Sequence, residues 1–316
     1  MKPLVTIITP MYNHEMFVRK CIESVLSQSY TNWEQIIIDD ASTDNSLKIA
    51  SLFAKRDKRI KIIRHKKDWG IENLANTYNQ ALKKARGKYI AILESDDYWP
   101  KNKLKLQMKH FSDPKIVFSF GNCILVNKSG IPIKLFTYKD SNKLLNNNPV
   151  GSILNLFYNL KFTIIPVTVI IKKSSLSRIG GFKKDNDYPF ADIPTFLGMS
   201  IEGSFKYIDE VLGYYRKQQN SFWFNFASKT DAMGRNEVRR CVSNFVSLNH
   251  GKKQIRNFHK NTKNTIEDQQ KYLKIKRIMK PFSLAVNKIA FYGGVSPMVI
   301  IFVFQYAFYK LKKIFK

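Results

Sequence analysis

The sequence predicts an α/β fold, with a mainly parallel central sheet flanked by helices and a helical, basic C-terminal extension. Three observations predict it. Short apolar runs alternate with helically periodic stretches through the first half of the chain, the pattern of strands joined by crossover helices. Three of these runs end in polar or acidic residues that a plain turn does not require. The chain has 316 residues, 44% of them hydrophobic, enough for one large domain with a sizeable core and an appendage.

The first strand is expected at Leu4–Thr9, and it runs into Pro10-Met11-Tyr12-Asn13-His14-Glu15. Phe17, Cys21, Ile22, Val25 and Leu26 then recur at helical spacing. The second strand, Glu34–Ile38, runs into Asp39-Asp40-Ala41-Ser42-Thr43-Asp44. Ser42, Thr43 or Asp44 can each cap a helix from about Ser46 to Lys55, which leaves Asp39 and Asp40 without a structural task. The third run, Tyr89–Leu93, reads as a strand buried on both faces. It is followed at once by Glu94-Ser95-Asp96-Asp97, three carboxylates in four residues. Open α/β sheets bind ligands at the carboxyl ends of their strands. Crowded carboxylates repel one another unless a cation shares them, and hard oxygen ligands suit Mg2+ or Mn2+ bridging to a diphosphate.

The net charge is +29 and unevenly spread. Residues 1–100 hold 16 Lys+Arg against 12 Asp+Glu, whereas residues 251–316 hold 15 against 2. A basic tail of this kind needs an anionic partner. Acidic clusters at successive strand ends would repel a phosphate backbone, so nucleic acid is not expected and an anionic membrane surface is. The stretch Ile289–Tyr309 carries no charge, but Gly293-Gly294 and Pro297 interrupt it and lysines flank it. It is expected to lie on the membrane rather than cross it. Cys21, Cys123 and Cys241 have no metal-ligand spacing and are expected to be reduced thiols in a cytoplasmic compartment. The chain enters its first strand directly after Met1-Lys2-Pro3, so no leader is expected.

Taken in order, Val5–Asn13, Ile37–Asp44, Gly70 with Asn76, Ala85–Ile90, Glu94–Trp99, Lys103-Leu104 with Gln107, Gly180-Gly181-Phe182, Ala191–Pro194 and Tyr215-Arg216 resemble the family 2 glycosyltransferases. Each piece is weak, but the ordered set, across roughly residues 3–222, is specific. The resemblance implies a nucleotide-sugar-binding GT-A domain at 1–222, with a nucleotide-sugar half (1–120) and an acceptor half (121–222). A basic helical extension (223–280) and a membrane-associating segment (281–316) would follow. It also implies inverting transfer from a nucleotide-diphosphate sugar, UDP-linked by expectation. The acceptor would be a polyprenyl-diphosphate-linked saccharide of O-antigen or capsule assembly, met at the cytoplasmic face of the plasma membrane.

By the same resemblance Asp97 is the metal ligand for Mn2+ or Mg2+. Asp96 holds the ribose or donor sugar, with some metal contact. Glu94 stands where the family more often has Asp. Pro10, Tyr12 and Asn13 form a wall of the uridine pocket with Tyr12 stacking on the base, and Asp40, or Asp39 one residue earlier, bonds the base ring. Asp192 is the catalytic base, although Ala191 replaces the Glu that the family carries before it. Arg216 and Lys217 bind the diphosphate, and Gln218 replaces a common His, which loosens the expected metal dependence. A nucleotidyltransferase, the nearest rival, would carry a glycine-rich basic loop where this chain has Pro10–Glu15.

Overall fold

In the computed structural model, β1 (Val5–Met11), β2 (Trp33–Asp39), β3 (Ile60–Arg64) and β4 (Tyr89–Ile92) lie in the order β3-β2-β1-β4, all parallel. The structure describes residues 2–255 apart from 141, 160–162, 186, 187, 189 and 218–232. The expected membrane-associating segment and Gln218 therefore lie outside the described residues. So does the basic extension beyond residue 255.

β1, β2 and β4 are buried along almost their whole length, which is why their apolar runs are continuous rather than alternating. β1 runs two residues past the expected end, through Pro10. Only the proline donor is lost, since its carbonyl still accepts the Ser95 N–H at 3.3 Å. β3 was not anticipated. It is the edge strand, Lys61 and Arg64 dilute its apolar pattern, and only Ile60 is fully buried.

Helices α1 (Val18–Leu26), α2 (Ser46–Arg56) and α3 (Leu74–Lys84) make the crossovers between these strands. α1 buries Val18, Cys21, Ile22 and Val25, one helical stripe, against a core that includes Val5, Ile7 and Trp33. Each such aliphatic residue, fully buried, contributes roughly 1.5–3 kcal/mol. α4 (Lys103–Met108) follows β4.

The second half of the sheet is mixed. β5 (Ile116–Val126) pairs antiparallel with β6 (Pro132–Phe136) and β7 (Ile170–Lys172), and parallel with β8 (Ser204–Arg216). β7 also pairs antiparallel with β4 and so joins the two halves. α5 (Asn142–Leu145), α6 (Leu154–Tyr158), α7 (Lys173–Arg178) and α8 (Asp192–Ser200) fill the intervals. α9 (Met233–Leu248) packs on α6 and α8. Cys21, Cys123 and Cys241 are buried thiols. No helix among the described residues is long and apolar enough to cross a membrane.

Glu34 shows how tightly the parallel half is tied. Its buried carboxylate accepts from Thr6 Oγ1 (2.9 Å), the Arg86 N–H (2.7 Å), Arg86 Nε (2.9 Å) and Lys61 Nζ (3.0 Å). Burial pushes its pKa up, but these donors, led by the Arg86 backbone, outweigh it and bring the value down to about 2. The stabilisation is thus present above the ordinary carboxylate range and lost as pH falls toward 2. Urea denaturation of Glu34→Ala should show a loss of about 2 kcal/mol at pH 7, because Thr6 Oγ1 and the Arg86 N–H lose an interior acceptor. The gap should narrow as pH falls toward 2, where the charged part of these hydrogen bonds is lost. An equal gap at low pH would assign the loss to packing instead.

Candidate active site

The β1 and β2 strand ends are laced together. Pairing of Met11 with Asp39, and of Asp39 with Arg64, sets the ends of β1, β2 and β3 level. Ser42 Oγ accepts the Asn13 N–H (3.1 Å), Ser46 Oγ the His14 N–H (2.7 Å) and Asp44 Oδ2 the Glu15 N–H (2.9 Å). In return Asn13 Oδ1 accepts the Thr43 N–H (2.8 Å) and Glu15 Oε2 the Asn45 N–H (2.9 Å). Asn13 and Ala41 adopt positive φ to allow this. Ser42 and Thr43 are therefore drawn to the neighbouring loop and do not cap α2. Asn45 takes the N-cap position without a side-chain bond to the helix, its amide donating to Glu15 Oε2 instead, and Asp44 accepts the Ser46 N–H at 2.9 Å.

The two aspartates after β2 have different surroundings. Asp39 is fully buried, with Oδ2 at 3.5 Å from Arg64 Nε. Asp40 keeps exposed surface at the strand ends, and three groups fix its carboxylate. His65 Nδ1 lies at 2.6 Å, and the N–H groups of Trp69 (3.0 Å) and Gly70 (3.2 Å) donate to it. Gln80 Oε1 faces the other His65 nitrogen at 2.8 Å, and the Trp69 ring stacks on the imidazole at 3.8 Å. Gly70 sits at φ +71°, which glycine adopts freely. Beside them Tyr12 is 43% exposed, a ring open to a ligand at the end of β1, and Pro10 is partly buried.

At the end of β4 the acidic turn is held from beneath. Asp97 is fully buried, and its Oδ1 accepts the Arg216 N–H at 2.8 Å while Oδ2 has no hydrogen-bond partner. Arg216 was expected on the diphosphate, but it is 4% exposed and its guanidinium is engaged by backbone. Nε donates to the Asp96 carbonyl (2.8 Å) and Nη1 to those of Asn127 (2.9 Å) and Lys128. Its planar face lies over the Phe17 ring at 4.7 Å. Arg216 is thus a strut of the acidic turn. Lys217 follows it with an exposed side chain, its N–H donating to the Val126 carbonyl. His14 Nδ1 is 2.7 Å from the buried Ser95 Oγ, which ties the β1 loop to the same turn.

Asp192 opens α8, its Oδ1 accepting the Ile193 N–H at 2.7 Å, with the Tyr188 hydroxyl as a second donor. Part of its surface remains open, yet packing around the carboxyl raises its pKa to about 6, partly offset by those donors. Glu94 accepts the Tyr78 hydroxyl at 2.6 Å, and burial drives its pKa up to about 7, with Asp96 and Asp192 adding repulsion. Asp97 is pushed up by burial first, then by Asp96 and Glu94. The fold therefore brings Asp192, nearly a hundred residues away in sequence, into the electrostatic field of the β4 acidic turn. A group in such a field is a candidate for proton chemistry.

α3 ties these parts together through Tyr78, Asn79 and Gln80, which were not singled out from the sequence. Gln80 reaches His65, Tyr78 reaches Glu94, and Asn79 clasps the turn before Asp192. Asn79 Nδ2 donates to the Phe182 carbonyl and its Oδ1 accepts the Phe182 N–H, both at 2.8 Å, while the Tyr78 and Phe182 rings stack at 4.7 Å. Gly181, at φ +85°, has Asn79 Oδ1 where a Cβ would stand, so only glycine fits. The Lys183 N–H then bonds Thr195 Oγ1 and carries the tie into α8.

The donor set fits a divalent ion that also takes phosphate oxygens. No group of three or more His, Cys, Asp or Glu among the described residues forms a complete cage. The buried, unpartnered Asp97 Oδ2 beside the partly open Asp96 offers the one or two carboxylates that Mg2+ or Mn2+ takes when a diphosphate supplies the rest.

Glu94 carries a separate expectation. Its raised pKa means that ionising it in the fold is unfavourable, a penalty absent below the usual carboxylate range and complete above about pH 7. Glu94→Gln keeps an acceptor for Tyr78 and should stabilise the protein by on the order of 1–2 kcal/mol at pH 8. The gain should fade toward pH 4. Thermal melts across that range check it, and a loss at pH 8 would contradict it.

The sequence profile described as Glycosyl transferase family 2 matches residues 6–180. The putative teichuronic acid biosynthesis glycosyltransferase TuaG of Bacillus subtilis is 33% identical over 226 residues, 71% of this chain and 83% of that protein. Escherichia coli WfgD, described as a UDP-Glc:alpha-D-GlcNAc-diphosphoundecaprenol beta-1,3-glucosyltransferase, is 40% identical over 153 residues, 47% of this chain and 57% of that one. The solved structure of S. aureus TarS 1-349 with UDP-GlcNAc matches with a TM-score of 0.57 at 20% identity, over 78% of this chain and 66% of that one. Mannosyltransferase PcManGT from Pyrobaculum calidifontis, with GDP-Man and Mn2+, matches with a TM-score of 0.53 at 16% identity, over 79% and 76%. At those identities the two structures speak for the fold, the expected GT-A architecture.

Proposed function

The chain belongs to glycosyl transferase family 2, and from that premise we propose that this nucleotide-sugar-dependent glycosyltransferase uses a UDP-sugar. In this reading it inverts the anomeric centre and extends a polyprenyl-diphosphate-linked saccharide in cell-surface polysaccharide assembly, O-antigen or capsule. It works as a peripheral enzyme on the cytoplasmic face of the plasma membrane. The observation that carries the reading is the electrostatic reach of Asp192, at the start of α8, to Glu94 in the acidic turn that Asp96 and Asp97 share. Support for the acceptor class comes from WfgD, whose acceptor by name is a diphosphoundecaprenol-linked sugar. Support for the UDP donor comes from the same name and from the TarS complex.

In this reading Tyr12 and Asp40 receive the base, the ring by stacking and the carboxylate by accepting its N–H. Pro10 and Asn13 shape the loop around them. Asp96 holds the ribose or donor sugar. Asp97 Oδ2, with Asp96, would hold Mn2+ or Mg2+, which when bound neutralises the charge the diphosphate gains as a Lewis acid. Asp192 removes the proton of the acceptor hydroxyl as the oxygen attacks the anomeric carbon. The glycosidic bond to the diphosphate breaks on the opposite face, and its electron pair leaves with the phosphate oxygen. With its pKa near 6, Asp192 is mostly ionised at neutral pH and still basic enough to take that proton.

A screen of radiolabelled UDP-sugars against a membrane lipid extract tests the reading. Label should enter the organic phase and be released by mild acid, as expected of a lipid-linked diphosphate. NMR of the product should show the anomeric configuration inverted relative to the donor. Transfer only to water-soluble acceptors would overturn the lipid-linked part, and retained configuration would remove Asp192 as the base of a single displacement.

A further inference from the structure

One apolar surface has no part in the cleft yet is fastened to it. Ile131, Ile133 and Leu135 are 61%, 55% and 53% exposed. They recur every second residue along β6 and its turn, so they share one face of the sheet's edge strand. The partly exposed Ile124 pairs with Leu135 from β5 and widens the patch. In the same stretch Lys128, Lys139 and Lys143 are exposed, as is Lys134, which alternates with Ile133 and Leu135 and leans over the Phe136 ring, and Asp140 is the single acidic residue between positions 127 and 143. The root of this hairpin is tied to the acidic turn. Arg216 Nη1 donates to the Asn127 and Lys128 carbonyls while its Nε holds the Asp96 carbonyl. The Tyr98 hydroxyl also reaches the Gly130 carbonyl at 3.4 Å.

We infer that this hairpin edge is a docking surface for an anionic lipid bilayer, with Ile131, Ile133 and Leu135 entering the headgroup boundary and the lysines resting on anionic headgroups. The composition of the edge favours a lipid surface over a strand from another protein. Pro132 lacks a donor and Lys134 brings charge, the two devices by which edge strands resist pairing. A mixed aliphatic and basic rim matches the interface between acyl chains and anionic headgroups. The inference rests on the lipid-linked reading of function for its purpose. A site moored there would meet a saccharide emerging from the bilayer on its diphosphate.

The full-length chain tests it directly. The native thiols are all buried, so Ile133→Cys offers an exposed site for a polarity-sensitive fluorophore, and Leu52→Cys on α2, which packs against the opposite edge strand, serves as control. Vesicles of phosphatidylcholine with phosphatidylglycerol should blue-shift the label at 133 and expose it to a lipid-borne quencher, leaving the label at 52 unchanged. Ile131→Ser/Ile133→Ser/Leu135→Ser should weaken vesicle affinity roughly tenfold while UDP binding is retained. A silent label at 133 when the protein co-sediments with vesicles overturns the proposal. So does a blue shift without lipid that grows with protein concentration, which would mean a second copy covers the edge. These readouts use neither donor nor acceptor. An enzyme that proved to use a soluble acceptor would overturn the functional reading and leave the docking result standing.

Discussion

Asp192→Asn should lower kcat by about a thousandfold while leaving UDP binding nearly unchanged, because in the proposed mechanism the carboxylate acts on the acceptor hydroxyl and not on the donor. Asparagine keeps an acceptor for the Ile193 N–H and the Tyr188 hydroxyl, so the start of α8 should hold. The variant should be at least as stable as the native protein at pH 8, since it no longer carries a charge that its surroundings disfavour. In the native enzyme kcat/KM should rise with pH through a single ionisation near 6 and level off above 7. Steady-state kinetics from pH 5 to 8 check both statements. A loss under tenfold, or one confined to KM, would remove Asp192 from the chemical step.

Asp97→Asn should abolish the metal-dependent part of donor binding, weakening UDP affinity in the presence of Mn2+ by about a hundredfold or more. Oδ2 has no hydrogen-bond partner and burial disfavours its charge, so the ionised form gains most from a bound cation. Asparagine is the cleaner substitution, because alanine would also strand the Arg216 N–H that Oδ1 now accepts. Isothermal titration with UDP, with and without Mn2+, separates the two contributions. Equal affinities for native and variant protein in Mn2+ would place the ion elsewhere.

The parallel half of the sheet was legible because β1, β2 and β4 are buried on both faces and leave unbroken apolar runs. Their acidic ends stood out because capping could not use every carboxylate. What the sequence concealed has a common cause, namely which side each residue faces. Side chains alternate along an extended chain, so Asp39 turns inward toward Arg64 while Asp40 keeps access to solvent. No local pattern distinguishes them. Arg216 looked like a free cation, and only the approach of residues 127 and 128 shows that its guanidinium is committed. His65 was hidden because β3, an edge strand broken by charges, was not seen, and with it the level alignment that brings His65 beside Asp40.

Tyr78, Asn79 and Gln80 are consecutive, yet they brace the acidic turn, the Gly181-Phe182 turn and the His65–Asp40 pair respectively. One turn of α3 thus serves as a common datum for what are, in the proposed mechanism, the leaving-group side and the attacking side of the cleft. The gap between them is set from one piece of helix, as a gauge is set from one reference face. Misplacement of reacting atoms by about 1 Å can cost on the order of 100-fold in rate. Tolerance for error in this enzyme is therefore concentrated in three side chains, none of which needs to touch the sugar.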